Sequence, residues 1–197
     1  MYVKSARAER AEQTRRALLG CARALFARHG YAATSTREIV DAAGLTKGAL
    51  YHHFEDKLDL YRAVVDDAAR ELAGRIERAA AGGTDPWERL QAMCRAYLDA
   101  CLDAGLTRLL VLEAPAVLGW KTWCEIEQKH EVRALAACLR EAAAAGQVPS
   151  DSVEQTAQVL LGALNTAARL IATAPDPAAT RPQAERTIAR LLAGLRT

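Results

Sequence analysis

The stretch Ser35–Phe54, STREIVDAAGLTKGALYHHF, holds two capping residues, a glycine and a cluster of basic and aromatic side chains within twenty positions. Ser35 and Glu38 have the spacing of a capping box, Ile39 and Val40 supply an apolar face, and Gly44 can adopt the left-handed conformation that stops a helix. Thr46 then caps a second helix that starts at Lys47. On that helix Leu50 and Phe54 share one face, whereas Lys47, Gly48, Tyr51 and His52 form a compact square on another. His53, flanked by Leu50 and Phe54, reads as a packing residue. Two short helices joined by a tight glycine turn hold the second at a fixed angle, which lets it enter a DNA major groove while the first crosses the backbone. The pattern predicts a helix-turn-helix.

The surrounding 197 residues are 51% hydrophobic and 25% charged, enough to bury a real core, and are rich in the residues that cost least in a helix. An all-α protein of nine helices is expected. A first helix runs from about Glu12 to His29 with Gly30 as its stop signal and Leu18, Cys21, Ala22, Leu25 and Phe26 on one face, behind a polar arm without fixed structure that carries Lys4, Arg7 and Arg10. Asp56 caps a long connector from Lys57 to Ala81. Further helices are expected from Asp85-Pro86 to Asp103, on either side of Pro115 with the second reaching Ala145, from Ser150 or Asp151 to Thr173, and from Pro182 to Leu195. Residues 1–56 form the expected helix-turn-helix unit and residues 57–197 a separate helical body.

Charge follows the same division. Residues 1–62 hold 11 Lys+Arg against 7 Asp+Glu, or +4, and the remainder holds 15 against 17, or −2. A basic module on a mildly acidic body fits nucleic-acid binding through one end. No apolar run is long enough to span a membrane and the first thirty residues lack an apolar signal block, so a cytoplasmic location is expected. Five cysteines without a C-x-x-C pair read as reduced, mostly buried thiols. Cys94, Cys101, Cys124 and His130 have no diagnostic metal spacing; neither a metal nor a cofactor is expected. No G-x-S-x-G, Walker-type or H-E-x-x-H pattern supports an enzyme.

From Leu25 to Lys57 the pattern LF…HGY, then T-S…I…AG-L-T-K-G-A-L-Y-H-H-F…K, closely resembles the tetracycline-repressor (TetR) family of bacterial transcription regulators. Leu112–Trp123, LEAPAVLGWKTW, also looks like a stretch found in some members. The resemblance implies a homodimer that binds a palindromic double-stranded DNA operator and a small-molecule effector. It further implies phosphate contacts from Thr36, Tyr51 and Lys57, and base or phosphate contacts from Arg37, Thr46, Lys47, Gly48 and His52. Lys57, at a helix N-terminus, suits a phosphate, and Gly48 permits close backbone approach.

In the body, Trp120, Trp123, Glu127 and His130 fall within one helical arc, with Met93, Tyr97 and Cys101 as an opposite wall. These seven are the expected ligand site, although indoles in such an arc also make ordinary core. Stripes that include Leu161, Leu164, Ala168, Ile188, Leu191 and Leu195 are expected at a two-fold interface, with internal core as the alternative use. Ligand binding is expected to reach the DNA module through the 57–81 helix. Two other readings remain: a thiol- or metal-responsive regulator of the same fold, and a helical scaffold without DNA binding.

Overall fold

The computed structural model describes residues 2–196 and side chains from Arg7 onward, so the Lys4 side chain lies outside the described residues. The described residues form nine helices and no strand. These are α1 (Tyr2–Ala33), α2 (Thr36–Ala43), α3 (Lys47–His53), α4 (Lys57–Ala80), α5 (Pro86–Ala100), α6 (104–118), α7 (120–144), α8 (Val153–Thr173) and α9 (Pro177–Ala193). Two of them change pitch along their length. α6 contains a π-helical segment, Arg108–Glu113, and α7 another, Gln128–Val132.

The helix-turn-helix forms as its caps dictate. Ser35 Oγ accepts from Glu38 N at 3.2 Å, and Glu38 Oε2 accepts from Ser35 N at 2.7 Å. Those bonds from Ser35 hold the exposed Glu38 carboxyl below its ordinary value. Gly44, at φ +63°, ends α2, and Leu45 N returns to Val40 O at 2.9 Å. Thr46 Oγ1 then accepts from Ala49 N at 3.2 Å to open α3. Ile39, Val40, Leu50 and Phe54 turn inward onto Leu18, Ala22 and Phe26 of α1, and this packing continues without a break through Leu60, Tyr61 and Val64 of α4 into the C-terminal body.

Several boundaries differ from the sequence expectation. The N-terminal arm is helical: α1 begins at Tyr2, and Arg7 and Arg10 are exposed on its first turns. Alanine, arginine and glutamate without a breaker propagate a helix already started downstream. At Gly30, φ +82° and ψ 167°, the regular helix breaks where the sequence places its stop, and a short helical piece continues to Ala33 beyond the kink. The break expected at Pro115 falls at Gly119, φ +78°, while Pro115 sits in the first turn of Ala114–Leu118 directly after the π-helical segment. A proline lacks the N–H for an i−4 bond, and a widened turn before it accommodates the missing bond. Ser152 precedes α8 without a side-chain cap bond, and α9 starts at Pro177, where Asp176 Oδ1 accepts from Ala179 N at 3.0 Å. Pro182 therefore lies inside α9. α5 ends at Ala100, short of Asp103, which caps α6 instead.

α6 grips the end of α1. Arg108 Nη1 donates to Ala27 O at 3.2 Å and Arg28 O at 2.6 Å, carbonyls that the helix end leaves unpaired. Glu113 Oε2 accepts from Tyr31 N at 2.8 Å. A Cβ on Gly30 would meet Glu113 Oε1 at 2.5 Å, so the absence of a side chain at residue 30 allows both the turn and the contact. Gly30→Ala is expected to destabilise the fold by about 1–3 kcal/mol, by forcing a side chain into a positive-φ turn and displacing the Glu113 carboxylate. Urea unfolding would register a lower midpoint with an unchanged slope.

Candidate DNA-binding surface and ligand site

The inward anchors of α3 leave its other side to solvent. Lys47, Gly48, Tyr51 and His52 are all exposed, Tyr51 at 52%. A Cβ at Gly48 would meet only Thr46 Oγ1, at 3.7 Å. Thr46 and Arg37 are exposed and Thr36 is half-buried; Arg37 pairs with Asp41 at 3.6 Å, an exposed contact that costs little to break. Lys57 is half-buried, its Nζ 4.2 Å from the centre of the Tyr31 ring. His53 is half-buried, its ring 5.2 Å from that of His52.

Tyr31 belongs to an aromatic triad. Tyr61 lies edge-on to Phe26 at 5.1 Å and to Tyr31 at 4.9 Å. Its hydroxyl donates to Leu109 O at 3.4 Å, and burial, with the nearby Glu113 charge, raises its pKa. One residue on, Leu110 O accepts from Trp123 Nε1 at 3.0 Å. The π-helical turn of α6 thus touches the α1 end through Arg108 and Glu113, and α7 through Trp123.

Trp123 is buried above a polar cluster. Tyr97 Oη donates to Asn165 Oδ1 at 2.5 Å, and Asn165 Nδ2 donates to Glu127 Oε1 at 2.6 Å. Glu131, one turn beyond Glu127, is also buried, and its Oε2 has no partner. Burial pushes Glu127 up to about 7 and Glu131 up to about 8; the neighbouring carboxylates Glu127 and Asp66 add to the rise of Glu131. Burial also pushes Tyr97 well above its ordinary value. A void of about 10 Å³, room for about one water, lies among Tyr97, Trp123, Glu127, Glu131 and Asn165.

The expected ligand set therefore divides. Tyr97, Trp123 and Glu127 come together. His130 turns away, its Nε2 3.0 Å from Asp66 Oδ1 on α4, where Lys129 Nζ also donates at 2.8 Å. Burial would raise Asp66, but these hydrogen bonds outweigh it and hold the carboxyl below its ordinary range. Trp120 is 71% exposed, its ring 4.9 Å from Trp123, and so is not an interior wall. Met93 lines a separate groove of about 160 Å³ with Cys138. Cys101, though buried, is outside the void and donates through Sγ to Tyr97 O at 3.1 Å. The π-helical turn within α7 changes the phase of the arc, which brings Glu131 inward and sends His130 towards α4. Glu131 and Asn165 were missed by sequence reasoning; the available signal was Asn165, a polar residue inside the apolar stripe of α8.

The expected interface residues need a similar correction. Leu161, Leu164, Ala168 and Ile188 are buried within their own chain, because these inward stripes cover α5 and each other. The outward face of α8 instead exposes Val159 at 73% and Leu170 at 61%, around exposed Gly162 and Thr166. Leu191 of α9 is 54% exposed and Leu195 half-buried; with Val159, Leu160 and Ala163 they line an apolar cleft of about 300 Å³.

A capped helix-turn-helix with a free basic and aromatic face, carried on an all-α body, defines a DNA-binding regulator. Residues 18–64 match the profile of bacterial regulatory proteins of the tetR family, and residues 87–195, over half of the chain, match the tetracyclin repressor-like C-terminal domain. The chain belongs to this family. It is 34% identical to a TetR-family transcriptional regulator from Pectobacterium atrosepticum whose crystal structure superimposes with a TM-score of 0.81, covering 96% of this chain and 97% of that one. The Tn10 TetC protein of Escherichia coli is 32% identical over 61% of this chain and 60% of its own length. The transcriptional repressor KstR2 of Rhodococcus jostii is 33% identical over 49% of this chain and 47% of its own length. The chain therefore spans only about half to three-fifths of these curated relatives. No helix among the described residues is long and apolar enough to cross a membrane.

The two buried carboxyls have a measurable consequence. Both titrate near 4.5 when free, so between pH 5 and 8 the folded state retains protons that the unfolded state has released. Stability should fall as pH rises through this window. In thermal unfolding the Glu127→Gln, Glu131→Gln variant should show a flatter dependence of Tm on pH, with its largest gain over the parent near pH 8.

Proposed function

We propose that the protein is a homodimeric, ligand-responsive transcriptional repressor that leaves a palindromic operator when a small organic molecule enters the C-terminal body. The observation that carries the DNA half is the free face of α3, Lys47, Gly48, Tyr51 and His52, on a helix whose other side is locked by Leu50 and Phe54. In this reading Lys47, Gly48 and His52 approach base edges or phosphates with Arg37 and Thr46, while Thr36, Tyr51 and Lys57 hold the backbone. Residues 1–56 serve as the DNA-binding unit and 57–197 as the ligand and dimer unit. KstR2, named a repressor, supports repression by kinship. A scaffold would leave the α3 face without a use.

For the ligand half, the void beside Trp123 is the point of entry. A molecule that moves Trp123 breaks its bond to Leu110 O, and the same turn of α6 holds the end of α1 through Arg108 and Glu113. α4 carries the second connection, since Lys57 lies over Tyr31 at one end and Asp66 is bound to α7 further along. A hundredfold loss of operator affinity requires about 2.7 kcal/mol of differential ligand binding, within the range of allosteric coupling. The thiol-sensing alternative is disfavoured because burial pushes Cys94 and Cys101 up to about 12, which keeps them protonated and unreactive. A metal-sensing alternative finds no group of three or more His, Cys, Asp or Glu suited to an ion among the described residues.

The operator should be a palindrome with half-sites about one helical turn or slightly more apart. Lys47→Ala with Tyr51→Ala should abolish specific binding in a gel-shift assay without loss of helicity, and undiminished operator affinity would sink the assignment. Parent binding should weaken with salt at a log-log slope of about −0.9 per phosphate neutralised.

For the dimer, the exposed α8 and α9 face is the proposed contact. Val159→Glu with Leu191→Glu should yield folded monomers in sedimentation and, with them, loss of tight operator binding. A double variant that sediments as a folded dimer would move the interface elsewhere.

A further inference from the structure

The interior cluster also constrains the chemistry of the effector. Glu127 and Glu131 lie one turn apart on α7 and line the same void, Glu127 half-buried and Glu131 almost fully buried with Oε2 unpartnered. Among the described residues no arginine or lysine is hydrogen-bonded to either. On α4 the facing charge is Asp66, already occupied by Lys129 and His130. On α5 the facing group is Tyr97, with Cys101 behind it; on α8 it is Asn165, and on α7 itself Cys124 lies near Glu127. Glu127 is held by Asn165, but Glu131 Oε2 has no partner, and a carboxyl buried in that way is costly to the fold. The missing element is positive charge. Tyr97 and Trp123 add aromatic faces to the same void, the side-chain type that best attracts an organic cation.

We propose that the effector is an organic cation with an apolar or aromatic body, whose charge is seated between Glu127 and Glu131 and whose body displaces Trp123. The proposal rests on the reading of the protein as a ligand-released regulator and deepens it. With a void of about 10 Å³, the cation makes its own room by moving Trp123, whose ring is backed by the exposed Trp120. That movement is the one that frees Leu110 O of α6, so seating and release become a single event. An anion is repelled by whichever carboxyl is ionised, and a neutral molecule offers no charge that favours ionising either one.

Charge balance supplies the signature. Burial keeps both carboxyls largely protonated in the free protein at pH 6, whereas the bound cation needs at least one ionised, so binding releases a proton to solvent. The affinity of a permanently charged cation should therefore rise towards tenfold per pH unit for each proton released between pH 6 and 7, and level off above about 8.

The test is calorimetric titration of the intact protein with benzyltrimethylammonium and tetraphenylphosphonium at pH 6, 7 and 8, and with tetraphenylborate, which has the shape of the phosphonium and the opposite charge. Release of labelled operator by each compound is followed in parallel. Expected results are binding of at least one cation with proton release, operator release by that cation, and no binding of tetraphenylborate. Glu127→Gln with Glu131→Gln copies the neutral carboxyls in shape, so it should fold and bind operator normally while losing at least tenfold in cation affinity and the pH dependence. Failure of both cations to bind, equal binding of borate and phosphonium, affinity independent of pH, or undiminished cation binding by the double variant would each overturn the proposal. None of these touches the DNA-binding reading, which fails separately if the ligand-free parent protein binds no operator.

Discussion

The end of α1 is held by two side chains from one π-helical segment of α6, and the helix-turn-helix packs on that same α1. Arg108 closes carbonyls that the helix geometry leaves open, while Glu113 takes the Tyr31 N–H beyond the kink. The Glu113 contact needs Gly30, because its positive φ turns the chain and its missing Cβ leaves space for the carboxylate. Behind them the Phe26, Tyr31 and Tyr61 rings form a rigid packing unit. α6 is thus bonded directly to α1, the helix against which α2 and α3 pack.

The body beneath is unevenly committed. Most of its interior is leucine, alanine and valine in close contact, which neither needs nor admits a ligand. Around Trp123 the packing changes character: a tyrosine, an asparagine and a glutamate are buried beside the half-buried Glu127, and one carboxylate oxygen lacks a partner. Low dielectric makes such a group costly until a partner arrives, and the same low dielectric makes the partner's attraction large. The thiols stand in contrast, since Cys94 and Cys101 are buried as small apolar groups and their raised pKa values remove their reactivity.

Surface and core on α8 and α9 are separated by a rotation of only part of a turn. Leucines at 161 and 164 and isoleucine at 188 satisfy the molecule's own core, and the residual apolar surface is the outward strip of Val159, Leu170 and Leu191. Gly162 and Thr166 lie on that strip and add little bulk, which favours close approach by another helix.

Residues Ser35–Phe54 determined the helix-turn-helix by themselves, because capping boxes, glycine stops and N-caps act over three or four residues and involve no distant partner. The inward leucine and phenylalanine of α3 were likewise legible from helical spacing, and with them the outward Lys47 and Tyr51. Tertiary structure alone decided the rest of the site. A π-helical turn changes which of Glu127, His130 and Glu131 faces the interior, and this turn, packed against α4 and α8, has no signature in the helical spacing. Periodicity also cannot distinguish a leucine that covers its own core from one that awaits a second chain, since both lie on an apolar stripe. Arg108 and Glu113 were unreadable for the same reason: their partners lie about eighty residues away, and only the fold brings them together.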